Sequence, residues 1–308
     1  MVGAILRECS ATTPATTAYS ATPTLSVVVC TYQNPYALDR VLACLERQTF
    51  RGFEILVADD GSASATAETV AAFAAVATVP VVHLWQADIG PRKCTIQNRA
   101  ILTARASYLV LLDGDCLLPR HALALHHRLR RPRRWLAGGS ILLGAEASAK
   151  LDREAIHTGM IDGRRAWAMA WRGKRSRRLL FGLLPGVARL ADLLPSRHGI
   201  GWRGGHSSAW RDDLLAVGGF DERLGLGLED KDLARRLRRH GLRGISIRHR
   251  VPMFHLDHER PASRAARLES NRRLLEADTP AASGRTAFGI SEEAAQQARR
   301  AAAAQRRG

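Results

Sequence analysis

The sequence predicts an α/β protein with a mainly parallel central sheet flanked by helices. Three observations point there. From Leu25 onward, short apolar runs alternate with stretches of helical periodicity. The runs are continuously apolar, as in strands buried on both faces. Polar or acidic residues follow them at their C-terminal ends, the edge at which open α/β sheets bind ligands.

In chain order, strands are expected over Leu25 to Cys30, Glu54 to Ala58, Val81 to Trp85 and Tyr108 to Leu112. Leu38, Val41, Leu42 and Leu45 recur at helical spacing between the first two. Ala65 to Ala77 and Cys94 to Arg105 read as helices in the same way, and Pro119 is placed to open another. From Leu151 to Ile200 the periodicity weakens and the segment turns basic, with Arg164, Arg165, Arg172, Lys174, Arg175, Arg177 and Arg178 beside apolar residues. Order returns at Gly201. A helix from Glu229 to His240 should stop at Gly241, followed by a strand over Ile245 to Ile247. The division expected is a disordered leader over 1–24, a main domain over 25–260 with halves 25–118 and 119–260 and a basic insert over 151–200, and a helix with an Ala/Arg-rich tail over 261–308.

At 308 residues and 46% hydrophobic, the chain can bury a full core. No apolar run approaches the roughly 18 residues needed to span a bilayer, and the first residues lack the apolar region of a secretory signal. The five cysteines have neither metal-ligand spacing nor a disulfide rhythm, so they read as reduced thiols. A cytoplasmic protein is expected, soluble or peripheral at the inner face of the membrane. The formal charge of +17 suits an anionic partner but does not choose among nucleic acid, membrane and phosphorylated substrate.

Asp113-Gly114-Asp115 ends the fourth apolar run, so two carboxylates one residue apart emerge at the ligand edge. Such oxygen ligands suit Mg²⁺ or Mn²⁺. An Asp-Gly turn uses the same residues for backbone reasons, but the position after a buried strand favours the metal. A glycine-rich stretch from Gly218-Gly219-Phe220-Asp221-Glu222 through Gly225 and Gly227 delivers Glu229 and Asp230 to the start of a helix. Acids also favour that end for its dipole; the glycine density points instead to a backbone passing close to a ligand. Asp230 is the candidate general base, with Glu229 holding the acceptor or orienting the loop. His255 and His258 could complete a metal shell begun by Asp115, or be ordinary solvated or core histidines.

In this order, Ser26-Val27-Val28-Val29-Cys30-Thr31-Tyr32-Gln33-Asn34, Val57-Ala58-Asp59-Asp60-Gly61-Ser62, Asp113-Gly114-Asp115 and Gly218 through Asp230 resemble glycosyltransferase family 2. The C-terminal half resembles the galactosyltransferase-type module. The resemblance implies the GT-A fold and an inverting, metal-dependent transfer of one sugar from a nucleotide-diphosphate sugar, with UDP the first expectation. The acceptor would be a hydroxyl of a glycan, lipid-linked or small molecule. Thr31 and Tyr32 would line the nucleotide pocket, Asp60 would bind base or ribose, and Asp88 would contact the nucleoside. Asp113 and Gly114 would meet the ribose and donor, Asp115 the metal, and Arg92 with Lys93 the diphosphate.

Two departures stand out. His206 occupies a place where family members often carry Asn, which puts sugar contacts there in doubt. The chain also lacks the Q-x-x-R-W motif of processive relatives. The basic insert suggests contact through 164–194 with an anionic membrane near a lipid-linked acceptor; a solvated face over core leucines explains it equally. A nucleotidyltransferase is the enzymatic alternative, but Cys30-Thr31-Tyr32-Gln33-Asn34 lacks its glycine-rich phosphate loop. A basic nucleic-acid-binding protein is the other, without a recognisable reader motif and with aromatics at 6%, so no specific nucleic-acid partner is expected.

Overall fold

The computed structural model describes residues 22–163, 165–166, 185–192, 200–259, 263–278, 281 and 283–305. Arg164 and the run from Arg172 to Arg178 lie outside these residues, as do 1–21 of the expected leader.

Four of the seven described strands of the main sheet follow from largely apolar runs. β1 (Leu25–Thr31) and β2 (Phe53–Asp59) are buried along their whole length, and β4 (Tyr108–Asp113) is buried up to its last residue. With β3 (Val81–Trp85) they form the parallel order β3-β2-β1-β4. The expected strands are correct, each of the three longest running slightly further than the apolar core predicts. Beyond β4 the sheet turns mixed. β8 (His206–Trp210) pairs antiparallel with β4 and with β6 (Arg134–Ala137), and β6 pairs parallel with β9 (Arg243–Ser246). β9 therefore begins before the Ile245 anticipated.

A second, three-stranded sheet joins β5 (Cys116–Leu117), β10 (Pro252–His255) and β7 (Gly139–Leu142). Its register sets His255 opposite Cys116, one residue beyond Asp115. A histidine more than a hundred positions away is thereby brought to the end of β4.

Helices cover the main sheet on both faces. α1 (Pro35–Glu46) has Pro35 in its first turn and is capped by Asn34, whose Oδ1 accepts from the Ala37 N–H at 3.0 Å. Its Leu38, Val41, Leu42 and Leu45 are fully buried in one core. α2 (Ser64–Val76) lies against it, and α3 (Lys93–Thr103) buries Ile96, Ala100 and Ile101 in the core on the opposite face. α4 (Ala122–Leu129) begins after Pro119 rather than at it; the Pro119 carbonyl instead accepts from Ala122 N–H and Gln48 Nε2. α5 (Ala145–Ala149) precedes the stretch where periodicity fades, and the described residues of that stretch include α6 (Arg153–His157) and α7 (Pro185–Ala191).

After β8 come α8 (Arg211–Ala216), α9 (Glu229–Arg239), α10 (Arg264–Ala277) and α11 (Glu292–Gln305). Gly241, at φ +86°, follows α9 as expected. Past Ala282, where the Ala/Arg/Gln-rich sequence reads as a frayed helix or tail, the described residues hold a packed helix, α11. Ala295 and Ala298 of α11 sit in the core beside Leu214, and the Arg211 guanidinium donates to the Ile101, Leu102 and Ala298 carbonyls. Among the described cysteines, Cys30, Cys44, Cys94 and Cys116 are buried and free. No helix of the described residues is long and apolar enough to cross a membrane.

His206 does not line the large cavity at the sheet edge. It is wholly buried, and its Nε2 lies 2.6 Å from Nε2 of His126, whose Nδ1 meets Ser208 Oγ at 2.7 Å. Burial holds both imidazoles below their ordinary pKa, His206 at about 4. A Cβ added to Gly138 would stand 2.0 Å from His206 Nδ1. We expect Gly138→Ala to cost about 1–3 kcal/mol in denaturant unfolding, the range for overpacking a well-filled interior.

Candidate active site

The C-terminal ends of β1, β2 and β4 and the segment before β8 open into one cavity of about 1270 Å³. Thr31, Tyr32, Asp60, Lys93, Asp113, Gly114, Asp115, Glu229, Asp230, His255 and His258 all line it. Motifs spread over more than two hundred positions thus converge at one sheet edge, as the strand pattern anticipates.

On the β1–β2 side, the Asp60 carboxylate is already held: Oδ1 accepts from Gln86 Nε2 at 2.6 Å and Oδ2 from the Arg92 N–H at 2.9 Å. Burial raises its pKa, against the opposing pull of these donors. Each oxygen keeps a further lone pair for a ligand. Tyr32 is half exposed, and its hydroxyl donates to Asp88 Oδ2 at 3.1 Å. Asp88 therefore serves the site through Tyr32 and does not itself line the cavity. Arg92 does not line it either: its guanidinium donates to the Ala87 carbonyl, leaving its backbone N–H to fix Asp60. Gly114 is where the β1 and β4 backbones meet. Its N–H donates to the Cys30 carbonyl at 2.7 Å, and a Cβ would sit 2.9 Å from that oxygen.

Lys93, at the first position of α3, points its ammonium at Asp113 Oδ1 (2.7 Å) and towards Glu229 Oε1 (3.7 Å). Burial works to depress its pKa, but Asp113 and Glu229 outweigh it and hold the group well above the usual lysine value. It is a fixed cation between two acidic loops, and the better placed of the Arg92–Lys93 pair to meet a phosphate.

Asp115 faces two imidazoles. Its Oδ1 is 3.7 Å from His255 Nε2 and its Oδ2 is 3.2 Å from His258 Nε2. Each ring places Nδ1 against a backbone carbonyl, His255 on Leu256 at 2.7 Å and His258 on Glu259 at 2.8 Å. A carbonyl can only accept, so each ring donates from Nδ1, and a metal bound beside Asp115 would find the Nε2 lone pairs of the neutral rings turned towards it. One carboxylate and two oriented imidazoles, their ligand atoms within 4.8 Å of one another, fit a divalent cation such as Mn²⁺. Asp113 and Asp115 form a second group with Cys116. Its thiol is a soft ligand that suits Mn²⁺ or Mg²⁺ less well than imidazole and carboxylate do, which favours the histidine set.

Asp230 lies in the first turn of α9. Its Oδ2 accepts from the Gly204 N–H at 2.7 Å, while Oδ1 is buried with no partner. A Cβ at position 204 would be 2.9 Å from both oxygens, so only glycine allows that approach. Burial and the Glu229 charge raise the Asp230 pKa to about 7, against the pull of Lys93. A carboxylate so poised suits general-base work. Glu229 accepts from Gly227 N–H and closes the loop before it, whose Leu228 takes φ +68°. Asn271 Nδ2 donates to the Leu224 and Gly227 carbonyls, at 2.8 and 2.6 Å, and pins the same loop from α10. Asp232, by contrast, pairs with Arg236 at 2.7 Å and serves the helix alone.

Sequence reasoning missed the basic rim. Arg203, Arg238 and Arg267 line the cavity, and Arg267 lies on α10, beyond the expected end of the main domain. Nothing in the spacing of these arginines separates them from the many others.

The fold and this acid-lined sheet edge define a GT-A protein. Residues 26–141 match Glycosyl transferase family 2, and residues 188–259 match the family described as the N-terminal domain of galactosyltransferase. The second match falls in the C-terminal half, where the sequence resemblance placed it. Validoxylamine A glucosyltransferase of Streptomyces hygroscopicus subsp. jinggangensis is 37% identical over 102 residues, 32% of this chain and 24% of the relative, so this chain spans about a quarter of that protein's length. N-acetylglucosaminyl-diphospho-decaprenol L-rhamnosyltransferase of Mycobacterium tuberculosis is 28% identical over 277 residues, covering 80% of this chain and 81% of the relative. A mannosyltransferase of Pyrobaculum calidifontis, solved in complex with GDP-Man and Mn2+, superposes with a TM-score of 0.55 at 17% identity, over 92% of this chain and 76% of that one. Over residues 26–141 the chain carries the family 2 match, and its fold is that of GT-A proteins.

Proposed function

We propose that this chain transfers a single sugar, with inversion, from a nucleotide-diphosphate sugar to an acceptor hydroxyl. UDP-sugar is the first donor to test. The observation that carries the reading is Asp230: a carboxylate with one buried oxygen free of partners, raised to about 7, in the same cavity as the Asp115–His255–His258 cluster. A free oxygen there can take the proton of an incoming hydroxyl. The Gly204 N–H keeps the other oxygen fixed, so the carboxylate needs little reorganisation during transfer. A divalent ion bound to the cluster would neutralise charge developing on the departing diphosphate. Lys93, held between Asp113 and Glu229, adds a permanent positive charge for the same anion.

The donor would lie along Thr31, Tyr32, Asp60, Asp113 and Gly114, with Asp88 fixing Tyr32. The Pyrobaculum complex with GDP-Man and Mn2+ supports a nucleotide sugar and a divalent ion. The mycobacterial relative supports a lipid-linked diphosphate sugar as acceptor.

Thermal shift against UDP, GDP, dTDP and CMP, with and without Mn²⁺, tests the reading in wild type and Asp115→Ala. Protection by one nucleoside diphosphate should require the ion, grow with ligand concentration and vanish in the variant. Absence of protection by every nucleotide, in a protein that melts cooperatively, would remove the donor site.

A further inference from the structure

We propose that a second, smaller cavity beside the Asp115 cluster is an oxyanion site built around Arg40, and that it holds a phosphate of the acceptor. The cavity, of about 230 Å³, lies between α1, α5 and the segment after β10, and it shares Asn34, Asp115 and His258 with the main cavity. An anion seated there is next to the reacting centre without occupying the donor's place.

Arg40 is the argument. The residue is 5% exposed, and its Nε and Nη2 are buried with no hydrogen-bond partner. Among the described residues no carboxylate is within ion-pair distance of it; the neighbouring Asp39 and Glu46 are both engaged by Arg153, each at 2.7 Å. Its guanidinium carbon stacks 3.7 Å from the centre of the Tyr36 ring, which fixes the plane of the fork but accepts no N–H bond. A buried guanidinium with unmade hydrogen bonds is costly, and its fork matches the two oxygens of a phosphate. Asp115 and Asp257 also line this cavity, and both would repel an anion. Binding is therefore expected with a divalent ion present to neutralise Asp115.

Free phosphate, a sugar phosphate and the headgroup of a lipid carrier offer the same oxygens. The assignment to the acceptor rests on the glycosyl-transfer reading above; the oxyanion site itself does not.

The test is thermal shift of the full chain in excess Mg²⁺, titrated with inorganic phosphate and, separately, with farnesyl monophosphate in a mild detergent. Wild type, Arg40→Met and Arg40→Lys are compared. Wild type should be stabilised saturably, Arg40→Met should need at least tenfold more anion for the same shift, and Arg40→Lys should fall between. Without anion, Arg40→Met should melt at or above the wild-type temperature, because an uncompensated charge has been removed. Protection by UDP and Mn²⁺ should be the same in all three, and its failure in all three would count against the donor reading alone. Half-saturation by farnesyl phosphate at tenfold lower concentration than inorganic phosphate identifies a lipid headgroup; equal potency identifies a free or soluble phosphate. The proposal is overturned if phosphate shifts wild type and Arg40→Met equally, if it shifts neither, or if Arg40→Met melts several degrees lower without anion, which would make Arg40 a packing residue over Tyr36.

Discussion

Asp230→Asn is expected to lower turnover by about 10²–10⁴-fold, the range for removing a general base, and at the same time to make the protein more stable at pH 8. The second effect follows from the burial that activates the group. A carboxyl whose pKa is about 7 in the folded chain, against an ordinary 3.8, binds its proton more tightly folded than unfolded. As pH rises from about 4 to 7, the unfolded chain has already lost the proton and the folded chain must give it up, so stability falls through that window and levels above it. The cost is on the order of a few kcal/mol at about 1.4 kcal/mol for each unit. Asparagine keeps an acceptor for the Gly204 N–H and never ionises. The variant should therefore melt roughly 2–4 °C or more above wild type at pH 8, and the difference should close as pH falls towards 4. In the wild type, kcat/KM should rise tenfold per unit below pH 7 and flatten above it, because only the ionised carboxylate accepts a proton. Equal melting temperatures at every pH would mean that Asp230 ionises without cost and is not the poised base.

The same burial explains what the sequence could and could not disclose. β1, β2 and β4 were legible because strands covered on both faces are dominated by apolar residues, and the polar Ser26 and Glu54 within them satisfy each other at 2.7 Å. β8 was not: His206-Ser207-Ser208-Ala209-Trp210 reads as a polar loop, yet it is a buried strand because Ser208 meets both His126 and the Tyr108 hydroxyl, at 2.7 and 2.8 Å. Polar residues that satisfy one another inside the sheet leave no hydrophobic pattern. α11 could be read only as a frayed helix or a tail for the opposite reason, since its packing face is made of alanines, which bury little and mark no strong stripe.

In the site, motifs tied to strand ends were readable, and side-chain orientation was not. The segment Asp88 to Lys93 carries acids and bases whose roles depend on a single turn of chain. The Asp88 carboxylate meets Tyr32 and the Arg92 guanidinium meets its own loop, while the Lys93 ammonium enters the cavity. The Arg40 fork was invisible for a similar reason: on α1 it occupies an ordinary helical position, and only the packing of α5 and the β10 exit against it leaves its N–H groups stranded.

Asp115→Ala is expected to abolish metal-dependent nucleotide binding, with the apparent Mn²⁺ affinity measured by calorimetry in the presence of UDP falling about 100-fold or more. Lys93 decides why this aspartate should matter more than its neighbour. It occupies Asp113 Oδ1 at 2.7 Å, so a cation approaching Asp113 meets a fixed positive charge, whereas one approaching Asp115 meets two imidazole lone pairs. Asp113→Asn should thus weaken Mn²⁺ much less than Asp115→Ala, and Lys93→Met, which frees Asp113, should not weaken it at all. His255→Ala and His258→Ala each leave two of the three ligands, and each should cost about 10–100-fold, comparable with the loss of a partner that orients a ligand. The order of effects separates the two possible ligand sets. If both histidine variants keep wild-type affinity while Asp113→Asn loses it, the ion sits on Asp113 and Asp115, and the carbonyl-locked imidazoles hold the acceptor side of the cavity instead.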